Sequence, residues 1–92
     1  MIKSIRHKGL KAFFERGVAR GIRADHIERL RDRLTVLDAA TCLDDIAASN
    51  WGLHPLTGKL KGHYAIKVSG NWRLFFEFRD GNVYLLDYDD YH

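Results

Sequence analysis

The chain has 92 residues, of which 46% are hydrophobic and one is proline, and its formal net charge is +3. These values predict one compact domain, residues 1–92, with a modest core, and they exclude a second domain and a disordered tail. The lone cysteine, Cys42, excludes a disulfide framework and a thiolate zinc site, and the lack of a signal peptide or long apolar run predicts a cytoplasmic protein without a membrane segment.

The charge is concentrated in the first third of the chain. Residues 1–33 hold ten Lys/Arg against four Asp/Glu, a net +6, whereas the remainder sums to −3. This asymmetry predicts a positive surface that can bind a phosphate backbone, and we predict RNA contacts at Arg29, Arg33, Lys59, Lys61 and Lys67. The alternative is that these cations are ordinary solvated helix surface.

Three helices are predicted before residue 50. The first spans 8–18, with apolar side chains near helical spacing, and ends in a break bracketed by Gly17 and Gly21. The second spans 25–40, where apolar residues recur at i, i+3, i+7 and i+10. Thr41 is expected to cap a short third helix, before a break at residues 49–52. The apolar stripe of the second helix is Ile27, Leu30, Leu34 and Leu37.

After a loop at residues 58–62 the apolar period falls to about two, which predicts three antiparallel strands near 64–68, 72–78 and 83–88. A two-residue hairpin loop at Asp80-Gly81 would pair Phe78 with Val83. The same register would pair Phe76 with Leu85 and Arg73 with Tyr88. The predicted apolar face is then Leu74, Phe76, Phe78, Val83 and Leu85.

The other hairpin, at Gly70-Asn71, is predicted to have a three-residue loop, because a two-residue loop would turn Ile66 and Val68 away from that apolar face. A short opening strand at residues 2–5 is expected to join the sheet. The predicted fold class is α+β, with two to three N-terminal helices packed on one face of a three- to four-stranded antiparallel sheet. The residues predicted on the opposite face are Lys67, Ser69, Arg73, Phe75 and Tyr88.

The chain also carries groups suited to cleaving RNA through its own 2′-hydroxyl, which needs proton transfer and a cation for the phosphate. His54, in the sequence Leu-His-Pro-Leu, and the final residue, His92, are the proton-transfer candidates, and neighbouring carboxylates suit His92 as a general acid. Arg73 is a bidentate phosphate clamp, and Tyr91 a stacking or hydrogen-bonding group. Lys59 and Lys61 add point charges.

Each assignment has a plainer alternative. His54 could be a structural or surface histidine, and Arg73 could pair with Asp87 or Asp90 across the sheet. The carboxylates near the end of the chain, together with His92, could instead bind a divalent cation. Three other histidines are interpreted as structural: His7, His26 and His63.

Taken together, the chain resembles the HigB toxins of the RelE-like superfamily of toxin–antitoxin systems, from end to end. The resemblance depends on Ile2-Lys3-Ser4 with His7-Lys8-Gly9-Leu10-Lys11, on Leu53-His54-Pro55-Leu56 followed by Gly58, on Asn71-Trp72-Arg73, and on Asp87-Tyr88 with Asp90-Tyr91-His92. It implies a small α/β fold with helices packed on an antiparallel sheet.

The resemblance also implies an activity: endonucleolytic, metal-independent cleavage of messenger RNA in the ribosomal decoding site, beside the 16S rRNA, with His54, Arg73, Tyr91 and His92 in the active site and no cofactor. Relatives can carry a lysine before the glycine of the His-Pro-Leu loop, where this chain has Thr57. The implied partner is a small helix-turn-helix antitoxin, through which alone the toxin would reach operator DNA.

A rival hypothesis from another class is a non-catalytic nucleic-acid-binding or corepressor module that uses the basic helices. It explains the charge, but it assigns no role to the histidine at the end of the chain.

Overall fold

The computed structural model describes residues 1–91, and its first helix, α1, is Lys8–Arg16. It begins where the His7 Nδ1 accepts the backbone N–H of Leu10 at 3.0 Å. It ends two residues before the predicted boundary, because Gly17 adopts a left-handed conformation with φ 71° that glycine tolerates.

The second helix, α2, is Ile27–Ala39, preceded by a 3₁₀ turn at Ala24–His26. The apolar stripe predicted from its spacing is confirmed, since Leu30, Leu34 and Leu37 are buried and Ile27 packs half-buried against the core. Regular 3.6-residue periodicity therefore sufficed to place this helix against the core.

The third helix, α3, is Leu43–Ala47, and the cap predicted for it at Thr41 is wrong. The helix begins one residue later, after Cys42, and the polar contact runs the other way. The backbone N–H and the hydroxyl of Thr41 donate to the Asp45 carboxylate at 2.9 and 3.2 Å. These bonds hold the pKa of Asp45 below its usual value.

Four antiparallel strands form one sheet in the order β1-β2-β3-β4: His54–Pro55, His63–Ser69, Trp72–Arg79 and Asn82–Asp90. The predicted two-residue hairpin at Asp80-Gly81 is confirmed, with Phe78 opposite Val83. Both loop residues have positive φ, 52° and 76°, as a type I′ turn requires.

Beyond that hairpin, a β-bulge changes the register of β4 and makes two predicted pairs wrong. The register shifts between Phe75 and Glu77, so that Leu74 lies opposite Tyr88 and Arg73 opposite Asp89. The extra residue is Leu85, a left-handed non-glycine residue with φ 54°. Because side chains alternate across a strand, one extra residue exchanges the two faces.

Because of this exchange, the faces predicted for the second half of β4 are wrong. Leu86 and Tyr88 enter the core, whereas Leu85, predicted in the core, is 42% exposed. Tyr88, predicted on the opposite face, is therefore on the core side. Asp87 and Asp89 take the face that the prediction gave to Tyr88.

The β2–β3 hairpin also differs from the prediction, in the length of its loop. Ser69 lies opposite Trp72, so the loop has two residues rather than three, and a register shift between Lys67 and Ser69 supplies the extra residue within β2. The predicted facing is confirmed, because Ile66 and Val68 are buried on the core side.

The predicted opening strand is present as two isolated parallel bridges that pair Ile2 with Val83 and Ile5 with Leu86. The backbone N–H of Lys3 donates to the Val83 carbonyl at 2.7 Å. The N-terminal segment therefore covers the β4 edge of the sheet, which would otherwise present unpaired backbone groups.

The three helices pack on one face of the sheet, which confirms the predicted α+β class, and the core lies between them. We call the opposite face, which carries the side chains of Arg73 and Phe75, the outer face. Among residues 1–91, no helix has both the length and the apolar character needed to cross a bilayer. The core comprises Ile2, Leu10, Phe13, Leu30, Leu34, Leu37, Ala40, Ile46, Ile66, Val68, Leu74, Phe76, Val83, Leu86 and Tyr88.

Candidate active site on the outer face of the sheet

The strand register brings predicted site residues onto the outer face in two adjacent rows. One row runs His54, Ala65, Phe75 and Asp87 across the four strands. Residues opposite each other in an antiparallel sheet point to the same side, so His54 faces outward with Phe75. The neighbouring row runs Lys67, Arg73 and Asp89.

His54 lies on β1, the short edge strand, where Pro55 favours an extended backbone for the residue before it. Its Nδ1 is 2.9 Å from the carbonyl oxygen of Gly52. A carbonyl oxygen can only accept a hydrogen bond, so Nδ1 carries the proton. In the neutral ring Nε2 is then an unprotonated acceptor on an exposed side chain, which is what a general base requires.

Arg73 is held by its own hairpin. Its Nη1 donates to the carbonyl oxygens of Gly70 at 2.7 Å and Trp72 at 3.1 Å. Two of the five N–H groups of the guanidinium are thereby used, and the Nε–H and Nη2–H groups form a fork that fits two phosphate oxygens. The alternative ion pair of Arg73 with Asp87 is not among the ion pairs of residues 1–91, in which Arg73 takes no part.

Tyr91 lies at the end of β4, beside the same hairpin. Its backbone N–H donates to the carbonyl of Asn71 at 2.8 Å, and its ring centroid is 5.9 Å from that of Phe75. The side chain is 62% exposed, so it offers a ring and a hydroxyl to a ligand on this face. His92 lies outside the described residues, and its role stays a prediction from the sequence.

His54 and Arg73 lie on strands that are separated by β2. Neighbouring strands lie about 4.8 Å apart, and β2 stands between β1 and β3, so His54 is roughly 10 Å from β3 at the backbone. The two side chains point to the same side from that distance. Arg73 lies in the neighbouring row, two residues along β3 from Phe75.

Three lysines predicted to bind RNA are exposed around this face. Lys67 lies directly opposite Arg73 and adds a second cation beside the fork. Lys59 lies in a 3₁₀ turn at Gly58–Leu60, and Lys61 follows it. This loop is closed by the Leu56 N–H, which donates to the His63 carbonyl at 2.9 Å.

Arg33, by contrast, is used by the fold. It is 7% exposed, its Nε donates to the Lys67 carbonyl at 2.8 Å, and its guanidinium lies 4.5 Å from the Trp51 ring centroid. Burial lowers its pKa. Arg29 is exposed but donates to the Val68 carbonyl at 3.2 Å. Because both arginines bind the bulged part of β2 from the helix side, we leave both Arg29 and Arg33 out of the proposed RNA surface.

Behind Arg73, on the core side, the β3–β4 pair rests on an aromatic cluster that the sequence did not reveal. The Trp72 and Tyr88 ring centroids are 4.7 Å apart, and the Tyr88 hydroxyl is hydrogen-bonded to Nδ1 of His26. His26 is 2% exposed, and burial lowers its pKa. Its predicted structural role is confirmed, whereas Tyr88 could be placed here only once the bulge was known.

Within residues 1–91, no group of three or more His, Cys, Asp or Glu side chains is close enough to hold a metal ion. The cation site considered from the sequence includes His92, which lies beyond that range.

Comparison with known proteins gives two matches that extend along almost the whole chain. The family model described as the RelE-like toxin HigB of type II toxin–antitoxin systems matches residues 3–92. A curated relative, endoribonuclease HigB of Proteus vulgaris, is 46% identical over 92 residues, which is 100% of both chains.

Proposed function

Because the chain belongs to the RelE-like HigB toxins of type II toxin–antitoxin systems, we propose that it is an endoribonuclease that cleaves messenger RNA and thereby inhibits translation. Its relative of equal length is named an endoribonuclease, and the family places RNA and an antitoxin among its partners. The proposal adds the target, the chemistry and the residues.

The proposed reaction is attack of a 2′-hydroxyl on the adjacent phosphorus. Nε2 of His54 takes the proton of the 2′-hydroxyl, the 2′-oxygen bonds to phosphorus, and the bond from phosphorus to the 5′-oxygen breaks. His92 gives a proton to that departing oxygen. The products are a 2′,3′-cyclic phosphate on one fragment and a 5′-hydroxyl on the other, and no metal is required.

The observation that carries this proposal is the anchored fork of Arg73 on the same face as His54 and Tyr91. Negative charge on the phosphate oxygens grows as the 2′-oxygen attacks, and two parallel N–H donors on a cation stabilise it most where they need not reorganise. The Nη1 bonds to Gly70 and Trp72 fix the guanidinium in advance. Tyr91 and Lys67 orient the RNA beside it.

We also propose that cleavage needs the ribosome. Free RNA rarely holds its 2′-oxygen in line with the leaving oxygen, and such alignment is worth many orders of magnitude in rate. An exposed, shallow site with few catalytic groups gains most from a platform that supplies the geometry. The decoding site, where messenger RNA lies against the 16S rRNA, is the proposed platform, and the cytoplasm is the proposed location.

For the antitoxin we propose a small helix-turn-helix protein. It would neutralise the toxin and connect it indirectly to operator DNA. Charge complementarity with the basic first third of the chain favours an acidic surface on that partner.

The proposal is tested with programmed ribosomes that carry one defined messenger RNA. The wild-type chain should release a fragment ending in a 2′,3′-cyclic phosphate, and replacing the single 2′-hydroxyl at the cut by hydrogen should abolish that product. The same RNA without ribosomes is the control and should stay intact. Cleavage of the 2′-deoxy RNA at the same bond would show that water, rather than the 2′-oxygen, is the nucleophile.

In cells, expression of the wild-type chain should arrest growth, whereas Arg73→Ala and His92→Gln should not. Full toxicity from either folded variant would count against its assigned role.

A further inference from the structure

The loop end of the β2–β3 hairpin holds the guanidinium of Arg73. Its Nη1 donates to two carbonyl oxygens there, that of Gly70 at 2.7 Å and that of Trp72 at 3.1 Å. The loop end is normally the most mobile part of a hairpin, because few contacts cross it. The fork that Arg73 offers to a phosphate is therefore only as fixed as the backbone at residues 70–72.

The side chain of Trp72, on the core side of the sheet, anchors this loop end. Its ring centroid is 4.7 Å from that of Tyr88 and 5.5 Å from that of His26, which meets it edge-on at 72°. The guanidinium of Arg23 lies 6.0 Å from the centroid of the same ring. The tryptophan is thus held by side chains from β4 and from the segment that leads into α2.

A buried hydrogen bond fixes two of these contacts. Nδ1 of His26 is bonded to the hydroxyl of Tyr88, and the two residues are 2% and 4% exposed. Apolar side chains of the same shape could fill this space at little or no cost in stability, so stability alone does not require a polar pair. A satisfied buried polar pair instead makes its surroundings rigid and specifies one arrangement. Here that arrangement is the position of two rings against Trp72.

The strand register connects the buried pair to Arg73. Tyr88 lies opposite Leu74, and Trp72 and Leu74 are the neighbours of Arg73 on β3. Tyr88 therefore supports, from the core side, the same stretch of β3 that presents Arg73 on the outer face. The other strand of the hairpin is held from α2 by two bonds from arginine side chains to its carbonyls, at 3.2 and 2.8 Å.

We propose that His26 and Tyr88 are positioning residues for RNA cleavage. Their buried hydrogen bond fixes Trp72, and the Trp72 carbonyl then holds the guanidinium of Arg73 in the orientation that meets the phosphate. The proposal rests on the proposed function, because Arg73 acts there on the phosphate of the RNA. Neither side chain touches the RNA, so a change on the core side of the sheet should slow the chemical step, which is sensitive to small displacements of a reacting group.

The order of the guanidinium in the free chain provides the first test, which needs no RNA. The NMR order parameter of the Arg73 Nε–H group is measured, and its signal is assigned by its absence in Arg73→Ala. It should be about 0.8 in the wild type and fall below about 0.6 in Tyr88→Phe, which keeps the ring but removes the hydroxyl. A flexible Arg73 in the wild type, or an equally rigid one in Tyr88→Phe, would overturn the proposal.

Val83→Ala is the matched control for a general loss of stability. Val83 is 0% exposed and lies opposite Phe78, whereas Trp72 lies opposite Asp90 at the other end of the β3–β4 pair. The substitution should lower the melting temperature, because it leaves a gap in the core, and leave the order of Arg73 and the cleavage rate unchanged. A loss of order at Arg73 equal to that in Tyr88→Phe would contradict a specific connection.

Single-turnover cleavage on programmed ribosomes then measures the effect on the chemical step, at a temperature where every variant is folded. Tyr88→Phe and His26→Phe should each lower the rate at saturating toxin about tenfold, while the toxin concentration that gives half of this rate changes less than about twofold. A wild-type rate in Tyr88→Phe would overturn this inference and leave the proposed nuclease intact. Absence of any cleavage by the wild-type chain would instead count against the nuclease itself.

A double-mutant cycle shows whether the effect passes through Arg73. In an Arg73→Ala background, Tyr88→Phe should slow cleavage no further, because the group that it positions is gone. A further loss of about tenfold in that background would mean that the two residues act by another route, and it would overturn the proposal.

Discussion

Replacement of Arg73 by lysine should separate the charge of this residue from its shape. The guanidinium has five N–H groups, and those on Nη1 bond to the carbonyls of Gly70 and Trp72, which leaves a fork for the phosphate. An ammonium keeps the positive charge, but it cannot hold both carbonyls and still offer two parallel donors.

The size of the loss follows from the bonds. A hydrogen bond to a charged group contributes about 1.5–3 kcal/mol. Losing one of the two phosphate bonds in Arg73→Lys should slow cleavage about 10- to 100-fold, since about 1.4 kcal/mol corresponds to a factor of ten. Arg73→Ala loses the charge as well and should slow it by about 10² to 10³.

The assay is single-turnover cleavage of one messenger RNA on programmed ribosomes, with saturating toxin so that binding does not limit the rate. Thermal unfolding of each variant provides the control for folding, and the side chain is on the surface, so only a small change is expected. A wild-type rate in Arg73→Lys would refute the bidentate fork. A wild-type rate in Arg73→Ala would remove Arg73 from the site altogether.

Three further predictions concern the scaffold. Burial lowers the pKa of His26 below the value of 6.5 that it has when unfolded, so the unfolded chain binds the proton first as the pH falls. The contribution of neutral His26 to stability is complete above about pH 6.5 and is lost at lower pH. His26→Gln should therefore reduce the pH dependence of the unfolding free energy, measured in urea between pH 7.5 and 5.5. A Cβ on Gly9 would lie 2.6 Å from the Gly21 carbonyl oxygen, so Gly9→Ala should lower the unfolding free energy by about 1–3 kcal/mol, and an unchanged melting temperature would contradict that close approach. Arg33→Ala should destabilise the fold by about 1–3 kcal/mol because the Lys67 carbonyl loses its donor, whereas an RNA contact at Arg33 would instead weaken RNA binding and leave the melting temperature unchanged.

The sequence predicted those parts of the fold that depend on local periodicity. Leu30, Leu34 and Leu37 gave α2 its buried stripe, and Asp80-Gly81 gave the hairpin its turn, because each pattern is contained in a few consecutive residues. The failures lie where one residue is inserted without a sequence signal. Leu85 reads as an ordinary strand residue, yet its left-handed backbone exchanges the faces of β4.

The extra residue in β4 explains most of the errors that the sequence-based prediction made at the candidate site. It carries Tyr88 into the core beside His26, and it places Asp87 and Asp89 on the outer face. The long-range bond of Arg33 to β2 was equally invisible, since it joins residues 34 apart in the chain. Arg73, Tyr91 and His54 could be chosen from their chemistry, but only the register shows that they share a face.

The most direct test of the account compares the two faces of the molecule in one cleavage assay. His54→Ala and Arg73→Ala remove groups from the outer face, and Lys11→Ala with Arg29→Ala removes cations from the helix side. The outer-face variants should each cut programmed messenger RNA at least about 100-fold more slowly, while the helix-side variant cuts at nearly the wild-type rate. The opposite result, with the helix-side variant inactive and both outer-face variants active, would contradict the account and favour a protein that acts by binding nucleic acid through its basic helices.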